Sequence, residues 1–205
     1  MFELALNSFI TLLVVVDPLG LAPIFAALTR GNSAMRKKEM ALRGTALGAA
    51  ILFAFALFGG ALLDALGIEI AAFRIAGGVL LFLVALDMIF ASSTGIRSRT
   101  VREQEEDSYE GDISVFPLAI PLIAGPGAIT SVLLYTGGRG PLEVAAVLAV
   151  LAIVLSLVVL SLLLAPRVMN LFGDTGANLL SRVLGVLLAA LAVQFVLDGI
   201  KDSLA

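Results

Sequence analysis

Asp17-Pro18-Leu19-Gly20-Leu21-Ala22-Pro23 interrupts the first apolar run of the chain, which is otherwise almost wholly hydrophobic from position 9 to 28. A carboxylate and two prolines in such a run break two rules together. The ionisable group is expensive in hydrocarbon, and each proline removes a backbone donor and clashes with the preceding turn. A membrane helix tolerates such a break only where protein or a water-filled cavity satisfies the freed backbone. A second disturbed run, Pro117-Leu118-Ala119-Ile120-Pro121-Leu122-Ile123-Ala124-Gly125-Pro126-Gly127, lies in mid-chain. Paired interruptions, one in each half, are the sequence mark of a transporter binding site.

Composition agrees with a membrane class. Hydrophobic residues make up 60% of the 205 and charged residues 14%, whereas soluble domains carry about 25% charged residues. The absence of cysteine and histidine removes thiolate chemistry and the commonest general base and metal ligand. No serine–base pair is evident, so hydrolytic and redox mechanisms lack parts, and the chain is expected not to be an enzyme. No cofactor, metal site or nucleic-acid partner is expected. The N-terminus lacks a basic n-region, and Asp17 falls where a signal peptide would be apolar; it reads as a first membrane span.

Six stretches reach the length of about 20 apolar residues that a bilayer demands: 5–29, 44–63, 70–90, 113–136, 144–165 and 177–200. None alternates as a barrel strand would. The expected class is an all-α membrane protein of six transmembrane helices, the first and fourth broken, in one membrane domain over 1–205. Gly44/Gly48, Ala72/Ala76 and Ala145/Ala149 have the four-residue spacing that lets helices approach closely in lipid. The same spacing serves packing within and between subunits, so it leaves the oligomeric state open.

The loops give an orientation. With six spans, one side collects Arg30, Arg36, Lys37, Lys38, Arg43, Arg97, Arg99, Arg102, Arg167 and Arg182, and the other only Arg74, Arg139 and Lys201. Ten against three places both termini outside and the central loop in the cytoplasm. That loop, 92–112, ends in the acidic run Glu103-Gln104-Glu105-Glu106-Asp107 and reads as a cytosolic linker. It separates three spans (1–91) from three (113–205).

The two parts correspond at a fixed offset. Pro18 and Pro126, Arg74 and Arg182, Gly77 and Gly185, and Leu80 and Leu188 all differ by 108. Three spans is an odd number, so the second copy enters the membrane from the opposite side. The reading is an inverted repeat about an axis in the membrane plane, with the broken first and fourth spans meeting at that axis.

The pairing of Asp-Pro-x-Gly-x-x-Pro at 17–23 with Pro-Leu-Ala-Ile-Pro-Leu-Ile-Ala-Gly-Pro-Gly-Ala-Ile-Thr at 117–130 resembles the MarC family of six-span inner-membrane proteins. The resemblance covers essentially the whole chain. It implies location in the cell inner membrane and transport of small neutral amino acids such as glycine and alanine, by uptake or export. The family often has a polar residue such as Asn after the first motif's glycine, where this chain has Leu21.

A broken helix offers a zwitterion both of its ends. The N-terminus of a half-helix presents free N–H groups and the positive dipole end to a carboxylate; the C-terminus presents carbonyls to an ammonium or cation. The candidate binding residues are therefore Asp17, Pro18, Gly20, Gly125, Pro126, Gly127, Thr130 and Ser131, the last two also able to bond back to their own helix. Asp17 has no mate, since Gly125 occupies its place in the second half. It could couple transport to H⁺, ligate Na⁺ or balance a substrate ammonium; equally, it could cap the helix starting at Pro18. Arg74 and Arg182 could gate the two faces through carboxylate partners or snorkel to the interface. Asp87, Gln194 and Asp198 are expected at the interface, with Gln194 the one of the three best suited to turn inward and join the gating or coupling set. The functional reading is an ion-coupled secondary transporter, the alternative a channel or facilitator for a small solute.

Overall fold

A computed structural model of the chain describes residues 1–90 and 112–204. Helices α1 (Phe2–Val16) and α2 (Pro18–Leu28) form the first span. They are followed by α3 (Ala34–Ala65), α4 (Ile70–Phe90), α5 (Ser114–Ile123), α6 (Pro126–Thr136), α7 (Pro141–Leu163) and α8 (Ala165–Leu204). No strand occurs among the described residues. Among the described residues, five stretches are long and apolar enough to cross a membrane, and six when α5 and α6, bent by 53°, count as one span. Apart from Asp112, the linker expected over 92–112 lies outside the described residues.

Both expected breaks are present, at matched positions. Pro18 and Pro126 each take the first position of an 11-residue helix, where proline's missing N–H costs nothing and its φ suits the helix. Thr136 follows Leu28 by the same 108 residues that separate the prolines. What precedes the second break is not a regular helix. Leu118 N–H bonds to Ile113 O (3.2 Å) and Ala124 N–H to Ala119 O (2.9 Å), each five residues back. Phe116 and Ile120, each directly before a proline, have extended backbone (φ −131°, ψ 128° and φ −129°, ψ 125°), as crowding by the proline ring dictates. Both X–Pro bonds are cis.

Two helices run longer than the apolar pattern. The charged segment 34–43 belongs to the 32-residue α3, whose start is capped by Ser33 Oγ accepting from Arg36 N–H (3.3 Å). The stretch between the fifth and sixth apolar runs is helical as well: α7 stops at Leu163, and Pro166 is the second residue of the 40-residue α8. That helix is about 60 Å long at 1.5 Å per residue; only Arg182–Leu204 qualifies as membrane span.

The first span is the buried centre: 56% of its most apolar window is covered, against 22% for the last span. Gly44 and Gly48 pack against α5, where a Cβ would come within 2.8 Å of Leu118 Cγ and 2.7 Å of Ile123 Cγ2. Ala72/Ala76 and Ala145/Ala149, expected to pack likewise, are exposed. The close α4–α8 seam uses glycine instead: a Cβ on Gly78 would sit 2.7 Å from Ala192 O. At the mouth of α5, Asp112 accepts from the hydroxyl and backbone N–H of Ser114 and pairs with Arg43 (2.6 Å). The Ser114 bonds and then Arg43 hold its carboxyl below the ordinary carboxylate value. Its contribution to stability is present above that ordinary value and lost as pH falls through the lowered one.

Among the described residues, one buried hydroxyl, Thr45 Oγ1, has no hydrogen-bond partner, and its residue is 4% exposed. Thr45→Val keeps the shape and removes the unpaired group, so stability should rise by about 1 kcal/mol. Thermal unfolding in detergent reads this; an unchanged or lower midpoint contradicts it.

Candidate substrate site at two helix breaks

At the first break the chain satisfies itself. Asp17 adopts a left-handed conformation (φ 53°, ψ 66°), and its N–H closes α1 on Leu13 O (3.0 Å). Its carboxylate turns forward and accepts from Gly20 N–H (2.9 Å), capping α2. Aspartate is among the few residues that tolerate this conformation and a preferred helix cap. Gly20 is required opposite it, because a Cβ there would lie 2.7 Å from Asp17 Cγ. Ser161 of α7 donates to Pro18 O (2.6 Å), tying the break to the fifth span. Asp17 is 2% exposed. It and Pro18 border a largely apolar groove of about 390 Å³ shared with Leu157, Leu160 and Leu184.

The second break is left open. Gly125 precedes α6 in extended conformation (φ −75°, ψ 166°), and no side chain caps that helix. Four backbone donors at any helix start lack intrahelical partners; here proline removes one of them. Gly125, Pro126, Gly127 and Ala128 border a cavity of about 50 Å³ together with Val15 of α1 and Asp87 of α4. At the roughly 30 Å³ that one water occupies in the liquid, the space of about 50 Å³ corresponds to about two waters. A cavity of this size suits a solute of a few heavy atoms.

The two breaks lie side by side, as expected. A Cβ on Gly127 would stand 3.3 Å from Val15 Cγ1, two residues before Asp17. The hydroxyls of Thr11 in α1 and Tyr135 in α6 are 2.9 Å apart. Other candidates take quieter places. Ser131 Oγ donates to Gly127 O within its own helix (2.8 Å). Thr130 is buried against Gly77 of α4, where a Cβ would lie 3.0 Å from Thr130 Cβ. Gln194 is exposed and donates to Asp198 Oδ1 one turn on (2.8 Å), rather than turning inward. Arg74 pairs with Asp202 of α8. Arg182 is exposed and makes no ion pair among the described residues.

Two residues outside the sequence-derived set reach the breaks: Asp87, expected at the interface, and Ser161. Each is a polar group in an apolar helix, which was the available signal. Which way it points depends on packing.

Residues 2–204 match the model of the MarC family of integral membrane proteins. A membrane protein of Archaeoglobus fulgidus is 39% identical over 199 residues, covering 96% of this chain and 92% of its own. The membrane protein YvbG of Bacillus subtilis is 35% identical, covering 98% and 96%; YhcE of Escherichia coli is 32% identical, covering 98% and 93%. No solved structure matches. A match along nearly the whole length leaves one assignment: this chain is an integral membrane protein of the MarC family.

Proposed function

We propose that this chain is a secondary transporter of small neutral amino acids, glycine and alanine foremost, in the cell inner membrane, binding them at the α6 break. The observation that carries the reading is the shared cavity of the uncapped α6 N-terminus and Asp87. The first break shows what an α-helix starting at such a proline accepts, since there a carboxylate caps it. At the second break glycine replaces that aspartate, so a substrate carboxylate takes the vacant capping position. The substrate ammonium then turns to Asp87, and the cavity of about 50 Å³ selects against larger side chains.

Alternating access follows from reading the halves as inverted repeats. The packing supports that reading. α1 lies on α7 as α5 lies on α3; α2 meets α7 and α8 as α6 meets α3 and α4; and α4–α8 and α3–α7 pair with their own mates. Exchanging the two halves' conformations moves the opening from one face to the other. Arg74, tied to Asp202 across α4 and α8, gates one end; Arg182, its mate, gates the other. H⁺ or Na⁺ is the coupling ion, with Asp87 rather than Asp17 as the coupling carboxylate, because Asp87 borders the cavity at the α6 break and Asp17 borders the groove beside α7 instead.

Counterflow in proteoliposomes tests the reading. Internal unlabelled glycine should accelerate entry of labelled glycine or alanine, and an imposed proton or sodium gradient should drive accumulation. Flux without counterflow and indifferent to both gradients would mean a channel.

A further inference from the structure

A second, larger cavity lies away from the breaks, between the α2–α3 connection and the α7–α8 junction. It has a volume of about 420 Å³. Its wall has two characters. Phe25, Leu162 and Leu163 form an apolar part, and Lys37, Lys38 and Arg167 a cationic part. The lysines belong to the first turns of α3, and Arg167 enters from the start of α8.

None of these three side chains makes a hydrogen bond or ion pair among the described residues. Their neighbours differ: Arg36 pairs with Glu39 (3.3 Å) and Arg43 with Asp112 (2.6 Å). Among the described residues, no acidic side chain lines the cavity. Thr29, also in the wall, is committed to Phe25 O (2.7 Å). Three like charges therefore converge on one hollow and repel one another unless an anion joins them. Cations that only set orientation need neither a cavity nor convergence from opposite ends of the sequence.

We propose that this cavity binds an anionic phospholipid, its phosphate on Lys37, Lys38 and Arg167 and an acyl chain along Phe25, Leu162 and Leu163. Basic pockets between membrane helices are suited to such headgroups, and a guanidinium matches phosphate oxygens in a bidentate fashion. The apolar wall decides between the two sources of phosphate. A free phosphate ion makes no use of Phe25 or Leu162, whereas a lipid covers them. Leu163, 40% exposed, leads from the cavity to the outer surface of the bundle, giving the chain a path to the bilayer.

Native mass spectrometry of the full chain, exchanged from phosphatidylcholine into mixtures with phosphatidylglycerol, tests this. Phosphatidylglycerol should be retained over phosphatidylcholine, and Lys37→Gln/Lys38→Gln/Arg167→Gln should reduce its apparent affinity by at least about tenfold. Arg139→Gln/Lys201→Gln, at the other end of the spans, should leave it unchanged. Thermal unfolding of the unsubstituted protein gives an independent reading should the triple variant fold poorly. Phosphatidylglycerol should raise the midpoint at about 0.05 M salt and lose most of that effect near 0.5 M. Equal retention of the two lipids, or a preference surviving the triple substitution, overturns the proposal. So does displacement of the lipid by millimolar inorganic phosphate with the same stabilisation, which marks a soluble-anion site instead.

Discussion

Gly127→Val is expected to lower amino acid affinity by at least about 100-fold, equivalent to roughly 3 kcal/mol, while the protein still folds. Gly127 borders the cavity and packs between α1 and α4: a Cβ would lie 2.7 Å from Leu81 Cδ2 and 3.3 Å from Val15 Cγ1. Both neighbours are side-chain ends that can yield, so overpacking should cost about 1–3 kcal/mol of stability. The cavity cannot yield comparably. Valine adds three carbons beside a space of only about 50 Å³, room for about two waters, at the start of the helix that receives the carboxylate. Equilibrium binding of glycine in detergent, with thermal unfolding as the folding control, makes the measurement. Retained affinity in a folded variant would remove the α6 break from the site.

The second large effect separates the two acids. Asp87→Asn should abolish the response of uptake to proton and sodium gradients, whereas Asp17→Asn should keep it. Asparagine accepts from Gly20 N–H as aspartate does and is equally at home in the left-handed conformation that position 17 requires. Asp17→Ala retains neither property. Losing the cap costs about 1 kcal/mol and the left-handed backbone about another 1 kcal/mol, so that variant should be less stable by roughly 2 kcal/mol. Gradient-driven uptake in proteoliposomes and unfolding midpoints read the two effects separately. Should Asp17→Asn lose coupling and Asp87→Asn retain it, the assignment of roles is reversed.

Much of the architecture was legible because membrane helices announce themselves by length and prolines act locally. The span expected over 70–90 is the helix Ile70–Phe90, and the breaks fall at Pro18 and Pro126 as expected. Helix ends were less legible where polar residues continue a helix beyond hydrocarbon, as in α3 and around Pro166 in α8. A hydropathy pattern marks the bilayer, not the end of backbone hydrogen bonding. Ala72/Ala76 and Gly44/Gly48 read alike in sequence, yet only the glycines are packed within the molecule. In lipid, both faces of a helix are apolar, so composition does not tell a buried stripe from an outward one.

Asp17-Pro18 and Gly125-Pro126 were fixed as helix breaks by the sequence alone, because a missing N–H and a constrained φ do not depend on what packs nearby. Membrane class followed from the length and composition of the apolar runs, which are local properties too. Tertiary structure decided the rest. It brought Asp87 from α4 to the cavity at the second break and set Ser161 on the first. It also gathered Lys37, Lys38 and Arg167 around one hollow. These are questions of which faces meet, and they are answered by close packing between helices far apart in the chain.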